Sequence, residues 1–325
     1  MLSHIRIILL FWTLLTLNGC KFWSSEQQRW ILNPEGSIAT ALSRDSQFAF
    51  THSKQDGLVL WDLPHHQPLL SLAQHDFHSE GIILTKIADL PRFALTATTQ
   101  SFAVWDLAWG QAQGLWTISD STLTDAALSS NGEQVLLGLA NSKVIHVNLG
   151  TGRRLEFLAH NKKVSSVALS PNGRYALSGG DDNRAYLWDT DSGQALFQFI
   201  HPAAVRHVAL HRDGQFAFTA DAEGNGYLWQ LQNGEKSATL QTSVRPQAIT
   251  VARFSDDGTL LVTATAGRQI SLWRTQDGKK LKQWYAAPKQ NTRPPHAVVY
   301  DVSIDPDGRV SAATSAGIVQ AWQAE

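Results

Sequence analysis

From position 164 to position 200 the chain alternates short apolar runs with compact polar breaks. Val164–Leu169 is mostly apolar, and Ser170-Pro171-Asn172-Gly173 ends it. Proline presets φ and Asn-Gly accepts positive φ, so this break is a tight turn. Residues 174–178 form a second run, and Gly179-Gly180-Asp181-Asp182-Asn183 a second turn. Residues 185–188 are rich in branched and aromatic side chains, which suit a pleated surface. A Thr190-Asp191-Ser192-Gly193 turn leads to a fourth run, Ala195–Ile200. The pattern predicts four short antiparallel strands. Such a sheet cannot cover its own faces and needs copies of itself.

The copies are present. The first turn recurs at residues 43–46, 129–132, 211–214, 255–258 and 305–308. The aromatic end of the third run recurs at Trp61, Trp105, Trp229, Trp273 and Trp322, with Trp188 in the unit above and Val147 in place of tryptophan in the third copy. Successive marker positions 61, 105, 147, 188, 229, 273 and 322 differ by 44, 42, 41, 41, 44 and 49 residues. All but the last spacing match the ~40–45-residue period of four-stranded propeller blades.

With these repeats the chain resembles the WD-repeat β-propeller family. The resemblance implies an all-β fold: one seven-bladed propeller of four-stranded antiparallel blades. Members of the family pin each blade with a buried His–Ser/Thr–Asp–Trp hydrogen-bond tetrad. His160, Ser178, Asp182 and Trp188 match it in the fourth copy. Elsewhere the position six residues before the marker holds Gln55, Thr99, Asn141, Glu223, Gly267 or Ala316. The tetrad is therefore expected in blade four alone. Trp30-Ile31-Leu32 is a strand without a blade, and the seventh blade ends at Trp322 after three strands. The N-terminal strand is thus expected to close the ring, which removes open sheet edges.

Residues 1–20 lie outside the repeat. Arg6 precedes an eleven-residue apolar stretch, residues 7–17, broken only by threonines. It is shorter than the ~20 residues of a membrane span and fits the apolar core of a secretory signal. Leu17-Asn18-Gly19-Cys20 follows, holding the chain's one cysteine, and resembles the bacterial lipobox. The resemblance implies a cleaved signal peptide (residues 1–19), acylation of Cys20, a lipidated tether (residues 20–28) and the propeller itself (residues 29–325). Lys21, where an aspartate would signal inner-membrane retention, implies the outer membrane, again by resemblance. One cysteine also excludes an intrachain disulfide.

A formal net charge of −1 gives no basic footprint for nucleic acid. Tryptophan is abundant, but six of twelve stand at the marker and read as core. No nucleophile motif or phosphate-binding loop is present. His65, His66, His75 and His78 are close in sequence, and His75-x-x-His78 has ligand spacing. No cysteine stands near them and His65-His66 falls at the other end of a strand, so an exposed histidine-rich outer strand and loop is the favoured reading, and no metal or other cofactor is expected. The reading from sequence is a monomeric, non-catalytic protein-interaction scaffold, lipid-anchored in the bacterial envelope and facing the periplasm. One alternative is a propeller enzyme or small-ligand binder using the central channel, and another is an accessory subunit of outer-membrane protein assembly. Two inter-blade connections are long, residues 73–81 and 286–295, and long loops on rigid scaffolds carry function. His75, Phe77, His78, Lys289 and Arg293 are the candidate partner contacts on them.

Overall fold

Strand follows strand through the whole repeat region, because tight turns recur before any apolar run is long enough for a helix. The computed structural model describes residues 26–72, 81–241, 247–289 and 296–324. Among these residues there are twenty-eight strands and no helix. They form seven separate four-stranded antiparallel sheets. In six blades the four strands are consecutive from the inside out, as in blade four with Val164–Leu169, Tyr175–Gly180, Arg184–Asp189 and Ala195–Ile200. The inner strands touch their neighbours all the way round, blade seven's Val299–Ile304 meeting blade one's Ala39–Leu42.

The seventh blade is completed by the start of the repeat region. Gln28–Ile31 lies outside Ile318–Gln323, with Gln28 opposite Ala321 and Trp30 opposite Val319. Trp30 is buried and donates its indole N–H to the Leu63 carbonyl at 2.5 Å. The closing strand therefore ties blade seven both to itself and to blade one.

Burial follows position within the blade. The second and third strands lie between neighbouring sheets and are buried almost end to end, as strands covered on both faces are. Outer strands alternate, so Phe199 is buried and the adjacent Ile200 exposed. The turns from inner to second strand end on a glycine with φ near +70° in five blades: Gly132, Gly173, Gly214, Gly258 and Gly308. An L-residue there is strained. Gly179 and Gly180 differ from expectation, lying in the second strand and not in the turn. Their reason is close approach. A Cβ on Gly179 would stand 2.6 Å from Val205 of the next blade, and one on Gly180 2.7 Å from His160.

The marker tryptophans form the seams between blades. Trp105, Trp188, Trp273 and Trp322 are buried, and Trp61 and Trp229 half-buried. Each of three stacks on an aromatic of the preceding blade's outer strand. Trp188 lies 4.6 Å from Phe157, Trp229 4.4 Å from Phe199 and Trp322 6.0 Å from Trp284, between ring centroids. In four blades the indole N–H also donates to a threonine of the second strand: Trp61 to Thr51, Trp105 to Thr96, Trp229 to Thr219 and Trp273 to Thr263, at 2.7–3.1 Å.

Candidate functional sites: two faces and a channel

Strands alternate in direction, so the ring has two unlike faces. Connections from inner to second and from third to outer strands lie on one. Connections from second to third strands, and those between blades, lie on the other. The chain enters the outer strand of blade seven at Gln28, from the first face. Cys20, the signal segment and most of the tether lie outside the described residues. So do His75, Phe77, His78 and Arg293.

Lys289 is described and sits on the second face. Its Nζ donates to the Glu35 carbonyl at 2.7 Å, and its N–H to the His296 carbonyl at 3.0 Å. It thereby joins the connection between blades six and seven to the one entering blade one. Beside it is a cavity of about 380 Å³ lined by Asn33, Ile38, Lys54, Asp56 and Lys289 among others. Ile38, Ile83 and Val298 immediately precede the inner strands of blades one, two and seven and are 36%, 46% and 41% exposed. They make an apolar arc on the inner rim of this face, between the two long connections.

His65 and His66 lie in the third-to-outer turn of blade one, on the opposite face. His65 Nδ1 stands 2.9 Å from Asp62 Oδ2. The strand Gln67–Leu72 runs from these two histidines to the second face, where the described residues stop at Leu72. Among the described residues no three His, Cys, Asp or Glu side chains gather as a metal site.

The channel holds a cavity of about 220 Å³, walled by inner strands of several blades. Its charged groups pair with one another. Lys86 faces Asp125 at 3.7 Å, and Arg253 grips Asp301 at 2.9 and 3.1 Å. At the tether-side mouth Arg44 reaches Asp256 at 2.6 Å and Asp89 at 3.4 Å, while Arg212 of blade five reaches Asp89 of blade two at 3.2 Å. This lattice spans the opening from opposite sides. The inner strands of blades three to seven each carry a bulge, at Asp125, Ser166, His207, Val251 and Asp301. A bulge re-aims a side chain, and here it directs several of them at the next blade's backbone. Asp125 accepts from the Val167 N–H, Ser166 from Val208, His207 Nε2 from Ala252 and Asp301 from Leu42. The channel's polar groups, taken together, fasten blade to blade.

His207 is half-buried in the channel wall, and burial holds its pKa down to about 4, with Lys86 adding to the effect and Asp125 and Asp301 opposing it. The neutral ring is the form that can accept the Ala252 N–H. Between pH 6.5 and 4 the unfolded chain takes up this proton and the folded chain does not, so stability falls as pH falls through that window. The loss is on the order of 3 kcal/mol. Burial also lowers the pKa of His146, His160 and His201, so these three contribute with the same sign. A urea midpoint measured at pH 7.5 and 4.5 is expected to drop less in His207→Gln than in the parent chain, and an equal drop would remove His207 as a cause.

In blade four His160 Nδ1 lies 3.1 Å from both oxygens of Asp182, and Nε2 lies 2.9 Å from Ser178 Oγ. Trp188 does not complete the expected tetrad, because its buried Nε1 makes no hydrogen bond among the described residues. In the four blades where the marker does bond, the acceptor is a threonine, whose β-methyl restricts the hydroxyl. Ser178 lacks that methyl, and the near-parallel stack on Phe157 holds the indole. Nor is blade four alone. In blade five His201 Nε2 lies 2.8 Å from Thr219 Oγ1, which also accepts from Trp229, and His201 Nδ1 lies 3.6 Å from Asp221. Asp221 stands eight residues before the marker, at the end of its strand, so a search six residues before the marker passes over it. The signal was there in the spacing of histidine to hydroxyl, eighteen residues in both blades.

Residues 152–189 and 234–274 match the family model of the WD domain, G-beta repeat. Each stretch takes in one blade's outer strand and the next blade's first three strands, blade four in one case and blade six in the other. No curated protein matches the chain.

Proposed function

We propose that this chain is a protein-interaction scaffold, the common use of the WD-repeat β-propeller that the matched repeats and the ring of seven blades support. It is non-catalytic and held by a lipid on Cys20 to a membrane of the bacterial envelope, with the outer membrane favoured by Lys21. The observation that carries the reading is the contrast between channel and face. The charged groups of the channel are engaged with one another and with backbone. The face away from the tether carries the apolar arc of Ile38, Ile83 and Val298 between the two long connections. Residues 21–28 reach at most ~26–29 Å when extended, so a lipid at Cys20 keeps the first face towards the bilayer and leaves this one free for a protein partner.

Two experiments test the two halves. Cys20→Ser is expected to move the protein from the membrane fraction to the soluble fraction or to block its processing, because acyl chains anchor by ~0.8 kcal/mol per buried CH₂. Wild-type fractionation of the variant, with no lipid found by mass spectrometry on the parent, overturns the anchor. Replacing residues 73–81 and 286–295 by short Gly-Ser turns is expected to deplete the partners captured from detergent-solubilised envelope. An unchanged partner set, lost only when tether-side turns are altered, places the binding face on the other side.

A further inference from the structure

Blade three alone among the seven has no tryptophan at the marker, and the space that ring would fill is open. The aromatics under the markers of blades four, five and seven occupy one register position. Phe157 pairs with Val144, Phe199 with Ala185 and Trp284 with Ile270, each three residues before its own blade's marker. In blade two that position is Trp116, paired with Phe102. Trp116 should therefore carry the marker ring of blade three, and Val147 stands there instead. Leu137 in turn occupies the position of the threonines that accept the indole N–H, opposite the residue two before the marker. Both halves of the tryptophan–threonine pair are aliphatic in this blade.

A cavity of about 230 Å³ lies at this seam, lined by Leu137, Ile145 and Val147 of blade three and by Trp116 and Phe102 of blade two. The two aromatic rings stack on each other, with centroids 5.2 Å apart and planes 14° from parallel. Ser119, Asn148 and Arg154 give the same cavity polar lining. Arg154 is engaged with Asp120 at 2.7 Å and Glu156 at 2.9 Å, so the site presents balanced charge and favours a neutral guest over an anion. Apolar cavities smaller than this one stay dry and take up benzene, and offset aromatic stacking adds to the affinity.

We propose that the seam between blades two and three is a binding site for a neutral planar aromatic molecule of indole size. Its ring packs in the place of the missing marker, against Trp116, with any polar substituent towards the polar lining.

The test is titration of the purified full-length chain with indole, followed by ligand-detected NMR and by the shift in melting temperature. Saturable binding and a rising melting temperature are expected for the parent. Val147→Trp fills the cavity and is expected to melt higher than the parent without indole, to bind indole at least tenfold more weakly and to show no further shift. Trp116→Leu removes the stacking surface and is expected to weaken binding several-fold, which decides the matter if Val147→Trp does not fold. Binding of parental strength in a folded Val147→Trp chain or in Trp116→Leu, or a parent with a Kd above about 10 mM, overturns the site.

Discussion

A chain lacking residues 26–33 is expected to melt far below the parent and to aggregate on concentration. The deletion removes Trp30 from a site where it is 3% exposed and packed with Leu32, Leu42, Leu63 and Trp61. Truncating a buried tryptophan alone costs about 3–5 kcal/mol. It also strips the outer backbone partners from Ile318–Gln323, which stays paired with Arg309–Thr314 on its inner side, leaving an apolar strand as a free edge, the feature that most invites pairing between chains. Urea unfolding and light scattering read both effects. Trp30→Ala separates them, since it keeps the strand and loses the packing, and should show the stability loss with less aggregation. If the deleted chain keeps the parent's midpoint and stays monomeric, the first strand is an ornament and the ring is held by its inner strands.

Asp301→Ala is expected to have the next largest effect, about 3–5 kcal/mol. Asp301 is 8% exposed and serves three blades at once. It accepts the Arg253 guanidinium of blade six at both oxygens, the Leu42 N–H of blade one at 2.9 Å and its own neighbour Val302 N–H at 2.9 Å. Alanine leaves the Arg253 charge without its counter-charge, with only the Leu42 carbonyl still accepting from it, and leaves two backbone donors without their acceptor. Asp301→Asn keeps the shape and part of the accepting capacity and should lose less. Arg253→Met in the Asp301→Ala background should recover part of the loss, because the stranded charge goes with it. Equal stability of Asp301→Ala and the parent would show that this corner of the channel bears no tension between blades.

The architecture was legible because it is written seven times. A single blade's pattern is ambiguous, but a marker returning every 41–49 residues is not, and the orphan strand at Trp30 leaves one way to complete the last blade. What stayed hidden depends on where side chains meet and not on how they are spaced. Gly179 and Gly180 read as turn residues because glycine is usually that, whereas here they clear room for Val205 and His160. Asp221 was missed because an acid can reach the same histidine from a strand end as well as from a turn. Trp188 was assigned a hydrogen bond that its stack on Phe157 leaves unmade. The channel's fastenings were beyond reach altogether, since Arg44, Asp89, Arg212 and Asp256 come from four blades and no sequence rule brings them together. Val147 was visible as a departure from the repeat, but the space beside Trp116 was not.

Time gives the closing strand a second meaning. Gln28 and its partner Ala321 are nearly three hundred positions apart, and chains appear amino end first. At ~5–20 residues per second the first strand waits roughly a quarter of a minute to a minute for its partner. Every other pairing forms between strands adjacent in sequence, so blades one to six can accrete in order as they emerge, each seating its marker on the one before. The last event is of another kind: a single long-range capture, slow for its loop length, that turns an open arc into a ring. Until then the waiting segment must not find a wrong partner. Its brevity, four residues, and the exposed Gln28 and Arg29 on it are what an edge needs to stay unclaimed.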